Sequence, residues 1–165
     1  MYLVDANVLI EAKNRYYAFD IAPGFWEWLE HAYAQGAVFG IEKVGEELRR
    51  GDDELAEWAK EHREFFHPID QQTTSFFTRL SCWAQSQNFK QSALNGFSAN
   101  DADYLLVAFA AAHNCTVVTH ETVGSGSRKK VKIPDACKAL GVAWVNTFEM
   151  LRKTGARLDL CSAGS

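Results

Sequence analysis

Met1-Tyr2-Leu3-Val4-Asp5-Ala6-Asn7-Val8-Leu9-Ile10 opens the chain with a short apolar run that ends on a single charge. Tyr2, Leu3 and Val4 read as a buried strand, and Asp5 follows it directly. A carboxylate at the end of a buried segment is costly unless something pairs with it. From Asn7 to about Tyr17 the pattern turns helical, so Asp5 stands at a strand-to-helix junction. That alternation, strand then helix, decides the fold class if it repeats.

It does repeat. Phe25, Trp26, Leu29, Ala32 and Tyr33 recur at helical spacing, Gly36 ends that helix, and 37–41 is a short buried strand. From Glu42 the pattern is helical again, with Val44, Leu48, Leu55 and Trp58 on one stripe and a break at Gly51. Phe65-Phe66-His67-Pro68-Ile69 reads as an extended connector, since Pro68 disfavours helix at His67. Residues 73–87 make an amphipathic helix and 88–97 a polar loop. Ser98 or Asn100 caps the nearly all-apolar helix 102–113, whose composition places it centrally. A third strand at 116–119 and a flexible loop at 122–130 follow. Pro134 starts a helix that Gly141 ends, 142–145 is a fourth strand, and 148–153 a last short helix. Strands separated by helices predict an α/β fold: a three-layer α/β/α sandwich with a mainly parallel central sheet. The expected organisation is one domain over 1–155 and a flexible tail over 156–165.

The 165 residues, 47% of them hydrophobic, suffice for a real core, and 23% charged residues exclude wholesale disorder. No segment approaches the roughly 18 unbroken apolar residues of a membrane span. The N-terminus lacks the basic-then-apolar pattern of a secretory leader, so none is expected. Cys82, Cys115, Cys137 and Cys161 form no Cys-x-x-Cys pair, and all four read as reduced thiols of a cytoplasmic protein. A formal net charge of −4 excludes a protein that coats nucleic acid non-specifically, but not an enzyme acting on it. Arg128, Lys129, Lys130 and Lys132 cluster locally, a pattern that is usually solvated loop charge.

Acids recur where strands end. Glu121 lies just past the third strand, in Val117-Val118-Thr119-His120-Glu121, while Glu46 and Glu47 lie about a helical turn past the second. Asp101 and Asp103 open the central helix. Singly these are helix caps, solvated helix faces or loop charge. Jointly, parallel strands would bring four acidic segments to one sheet edge, where like charges repel unless a divalent cation holds them. Oxygen donors without His or Cys favour Mg²⁺ or Mn²⁺, and such a site suits cleavage of a phosphodiester. His120 adjoins this group and reads most simply as a loop histidine.

Taken together, these stretches resemble the PIN-domain ribonucleases, including the VapC-type toxins of toxin–antitoxin pairs. Leu3-Val4-Asp5-Ala6-Asn7 matches the family's opening of strand, Asp and small polar residue two positions on. Val44-Gly45-Glu46-Glu47-Leu48 fits its second acid and selects Glu47. Asp103-Tyr104-Leu105-Leu106-Val107-Ala108-Phe109-Ala110 matches its third, an Asp-x-x-aliphatic-aliphatic-Ala-x-Ala helix, and selects Asp103. The fourth acid, usually an Asp two residues after a Thr, is here a Glu in Thr119-His120-Glu121. The chain is also similar to a PIN-like branch of unassigned function that has Thr-His-Glu and Ile-Pro-Asp stretches and occurs in toxin–antitoxin operons. Asp135 of Ile133-Pro134-Asp135 is thereby an extra acid to place, with a helix-start role the plainer one.

The resemblance covers roughly residues 1–150. It implies a PIN-like fold and Mg²⁺- or Mn²⁺-dependent hydrolysis of RNA, with Asp5, Glu47, Asp103 and Glu121 as catalytic metal ligands. Asn7 and Thr119 would orient those carboxylates. It further implies a protein antitoxin and a homodimer. Arg128, Lys129, Lys130 and Lys132 are the candidates for the RNA backbone. The alternative is a PIN-like binding module whose catalysis has lapsed. A phosphotransferase using Asp5 as nucleophile is disfavoured, because Asn7 stands where haloacid-dehalogenase-like enzymes place a second Asp.

Overall fold

The computed structural model describes residues 1–124, 126 and 128–159. At its centre is β1 (Tyr2–Val4), too short to hold itself and buried on both sides. It pairs in parallel with β2 (Val38–Ile41) through Tyr2 and Val38, and Leu3 and Phe39. On its other side it pairs in parallel with β4 (Thr116–Val118), Val4 opposite Val118. The edges are β3 (Phe66–His67), beside Gly40 and Ile41, and β5 (Trp144–Val145), beside Val117 and Val118. The sheet order is β3-β2-β1-β4-β5, and every recorded pairing is parallel. Helices on the faces complete the expected α/β/α sandwich.

The first connection is α1 (Ala6–Glu11), which continues as a five-residue π-helical turn, Ala12–Tyr16. The predicted helix to about Tyr17 thus has the right extent and a wider last turn. α2 (Pro23–Ala34) buries Phe25, Trp26 and Leu29 and stops at Gln35, before Gly36 with φ +68°. After β2 come α3 (Glu42–Leu48) and α4 (Glu54–Glu61), the latter capped by Asp53 Oδ1 accepting from the Ala56 N–H at 3.0 Å.

Several local expectations need correction. Phe65 to Ile69 is not merely a connector: Phe66 and His67 form an edge strand, because Gly40 admits the Phe66 ring where a Cβ would stand 2.8 Å from it. The single helix expected over 73–87 is two, α5 (Gln71–Thr74) and α6 (Phe77–Ser86). Asp70 starts α5 early, its Oδ1 accepting from the Thr73 N–H at 2.8 Å. The polar stretch 88–97 contains α7 (Gln91–Gly96), and the Lys90 N–H donates to the Arg128 carbonyl at 2.9 Å. Arg128 also donates from Nε to the Asn88 carbonyl. The neighbouring basic run is therefore stitched to this segment rather than loose; Ser125 and Ser127 lie outside the described residues.

α8 (Ala102–His113) is the central helix the composition implied, with Leu106, Val107 and Ala108 fully buried. Its cap is Asp101, whose Oδ2 accepts from the Tyr104 N–H at 3.1 Å, not Ser98 or Asn100. α9 (Ile133–Leu140) packs against α8 and α6. α10 (Thr147–Lys153) begins with a capping box between Asn146 and Glu149, directly after β5. Cys82, Cys115 and Cys137 are free thiols, and burial pushes the Cys137 thiol up to about 12; Cys161 and the tail over 160–165 lie outside the described residues. No described helix is long and apolar enough to cross a membrane.

Candidate active site

β1 is central: the chain runs outward from it to β2 and β3 on one side, then crosses back to lay β4 and β5 on the other. The crevice beyond the C-terminal ends of β1 and β4 is the switch point where parallel sheets form ligand sites. Asp5 and Thr119 are the first residues past those two strands. The register that sets Val4 against Val118 continues one step further, with the Asp5 N–H donating to the Val118 carbonyl at 3.0 Å. The two side chains therefore meet: Thr119 Oγ1 donates to Asp5 Oδ2 at 3.1 Å and accepts from the Glu121 N–H at 3.1 Å.

Asp5 is only 2% exposed. Burial pushes its carboxyl up to about 7, the negative charges of Asp103 and Glu121 add to the effect, and the Thr119 hydroxyl opposes it. Across the crevice, Asp103 lies in the first turn of α8. Burial raises its pKa, with Glu121 adding and Lys130 and Lys132 opposing. Asp101 is drawn into the same field while capping the helix: burial, Asp103 and Glu47 push it up to about 6. Glu47 is exposed at its tip, yet the protein around its carboxyl and then Asp103 raise its pKa. Its neighbour Glu46 instead turns to Lys43, 3.3 Å away.

Glu121 sits differently. Its Oε1 faces Lys130 Nζ at 2.8 Å and Lys132 Nζ at 3.4 Å, and its Oε2 accepts from the Ile133 N–H at 2.9 Å. Burial alone would raise this carboxyl, but Lys130, the Ile133 N–H and Lys132 outweigh it and hold the pKa low. Lys130 also reaches Asp103 Oδ2 at 3.3 Å, so its ammonium bridges two of the acids. Burial alone would lower the lysine's pKa; the Glu121 and Asp103 contacts more than reverse that.

The structure thus brings Asp5, Glu47, Asp101, Asp103 and Glu121 into one electrostatic neighbourhood. It keeps Glu46 out. Asp135 also stands apart: its carboxylate accepts from the Gly124 N–H at 3.2 Å and pins that loop to α9. Asn7 is exposed on the first turn of α1, its side chain without a hydrogen bond to the described residues. Thr119, by contrast, is 2% exposed and joins two of the acids' segments. Of the basic run, Lys130 and Lys132 point into the acids, and Arg128 is tied to the Asn88 carbonyl. The inward role of Lys130 was not read from the sequence. His120 Nε2 lies 2.9 Å from Thr147 Oγ1, and its ring stacks on Tyr16 with centroids 6.0 Å apart.

The donor chemistry of this cluster, oxygen throughout, suits a hard divalent cation. Among the described residues, however, no group of three His, Cys, Asp or Glu side chains is closed up in a position to hold a metal ion. Lys130 supplies positive charge between two of the acids, Asp103 and Glu121.

A family model matches residues 2–158. The chain belongs to DUF4411, a domain of unknown function. Comparison of this DUF4411 chain with curated proteins gave no match. Solved structures are similar at the level of fold. One is VapBC2 from Rickettsia felis bound to a DNA fragment from their promoter: 16% identity, 88% of this chain and 97% of that chain covered, TM-score 0.52. A second is FitAB bound to an IR36 DNA fragment: 18% identity, 88% and 94% covered, TM-score 0.53. A third is FitAcB from Neisseria gonorrhoeae: 20% identity, 90% and 99% covered, TM-score 0.54. This DUF4411 chain has the PIN-like fold.

Proposed function

We propose that this DUF4411 chain is a Mg²⁺- or Mn²⁺-dependent endoribonuclease that acts in the cytoplasm as the toxin of a toxin–antitoxin pair. The observation that carries the proposal is the convergence of Asp5, Glu47, Asp103 and Glu121, from four separate segments, on the switch-point crevice of a parallel sheet. Asp5, Asp103 and Glu47 would hold the cation. When bound, the ion neutralises phosphate charge and makes a water molecule more acidic. The chain's own residues provide the frame. Thr119 fixes the rotamer of Asp5, the β1–β4 pairing fixes its depth, and the cap at Asp101 fixes the first turn that carries Asp103. Similarity to chains from the VapBC2 and FitAB complexes supports a protein antitoxin as partner, and a homodimer is part of the same proposal.

The deciding experiment incubates total RNA with the purified chain and with Asp5→Asn, each with Mn²⁺ or with EDTA. Asparagine keeps the acceptor for Thr119 and removes the charge. Cleavage by the native chain with Mn²⁺, and its loss in both EDTA and the variant, is expected. Intact RNA in every reaction, with the protein folded and free of partner, would overturn the nuclease reading. A second reading is favoured by one observation, the Lys130 ammonium between Asp103 and Glu121: a PIN-like module that binds nucleic acid or protein without cleaving. Mn²⁺ binding without cleavage would mark it.

A further inference from the structure

Glu121 stands where the PIN resemblance leads one to expect an aspartate, and both of its oxygens are engaged. Oε1 takes Lys130 at 2.8 Å and Lys132 at 3.4 Å, and Oε2 takes the Ile133 N–H at 2.9 Å. Its extra methylene carries the carboxylate outward to these three donors. A divalent ion could claim Glu121 only by breaking contacts that already neutralise it. Lys130 goes further, reaching Asp103 Oδ2 at 3.3 Å with the same ammonium. An ammonium is a compact point charge with three donors, which suits it to bridging two carboxylates. Asp5 lies deeper, with one oxygen on Thr119 and its charge opposed by that of Asp103.

We infer that Lys130 is the resident cation of the acid cluster: its ammonium takes the place of a second divalent ion between Asp103 and Glu121, so that the chain binds one divalent ion, on the Asp5 side of Asp103. The inference rests on the proposed metal-binding role of these acids and deepens it. Lys130 is then a positioning residue. It orients Asp103 and keeps Glu121 out of the coordination shell. The basic run thereby serves the acids rather than an RNA backbone at this position.

The test is the number of Mn²⁺ ions bound per folded chain, measured by equilibrium dialysis on the whole protein, for the native chain, Lys130→Met and Lys130→Arg. Expected counts are one, two and one, since arginine retains the charge. The Lys130 side chain is 54% exposed, so its removal leaves no core hole, and Lys130→Gln is the second neutral variant. Two ions in the native chain, or one in both neutral variants, would overturn the role of Lys130 and leave the metal site standing. No Mn²⁺ in any chain, with each shown folded by its thermal transition, would remove the metal site itself and the inference with it.

Discussion

Asp5 is where burial and charge are most at odds. Its carboxyl titrates near 7 in the folded chain against an ordinary value of 3.8, because burial and Asp103 both disfavour the anion. Between pH 4 and 7 the folded state therefore holds a proton that the unfolded chain has released, and stability falls as pH rises through that window. Three pKa steps correspond to ~4 kcal/mol as an upper bound. In EDTA, denaturation should show the native chain less stable at pH 8 than at pH 5. Asp5→Asn should lose the largest part of that slope, keeping what Asp101, pushed up to about 6, and the raised carboxyls of Asp103 and Glu47 contribute in the same direction. Asp70 does not interfere, since hydrogen bonds from the Thr73 N–H and hydroxyl hold it down at about 2. A second expectation separates adjacent glutamates. Glu47→Gln should lower Mn²⁺-dependent RNA cleavage about tenfold or more, on the order of 1.4 kcal/mol of transition-state stabilisation, as one lost ligand would. Glu46→Gln should leave the rate unchanged, because Glu46 faces Lys43. Initial rates on a single RNA substrate decide between them.

Helix α3 shows how an element presents a side chain. It follows β2 without a loop, and Gly45 lets it lie against the edge strand: an added Cβ would stand 2.7 Å from Phe66 Cγ and 2.7 Å from Arg49 Nη1. The guanidinium can swing away; the Phe66 ring, 5% exposed, cannot. Gly45→Ala should therefore destabilise the fold by about 1–2 kcal/mol net, overpacking exceeding the gain in helix propensity. It should also shift Glu47, two residues on, and so reduce cleavage, read from the urea midpoint and the rate together. The same element-level logic explains the missed pieces of secondary structure. Phe66-His67 gains strand geometry only from β2 beside it, and Gln91–Gly96 has no strong periodicity of its own to announce a helix.

At the scale of the molecule, the acids store repulsion that folding must overcome. A divalent ion binding only the folded chain should return that energy. At a hundredfold excess over its dissociation constant the gain is about 2.7 kcal/mol, which for a chain of this size raises Tm by roughly 5–10 °C. Thermal melts with Mn²⁺ and with EDTA should differ by that amount for the native chain and hardly at all for Asp5→Asn. A null difference in the native chain would show that the cluster takes no such ion.

The PIN resemblance, not periodicity, singled out Glu47 and Asp103 from their acidic neighbours. The alternation of apolar runs and helical stripes by itself determined the α/β/α architecture, the central place of helix 102–113 and the gathering of four acidic segments at one sheet edge. These depend on local periodicity and on the rule that strand ends of a parallel sheet share one edge, both of which a linear sequence carries. Only the tertiary structure decided the rest. The edge strand at Phe66, the cap at Asp101, the separation of Asp135 from the other acids and the inward turn of Lys130 each depend on a neighbour far away in the chain. Lys130 is the clearest case: in sequence it is one of four basic residues in a loop. Its partner Asp103 stands 27 residues earlier, and only the packing of α9 on α8 brings the two charges within 3.3 Å.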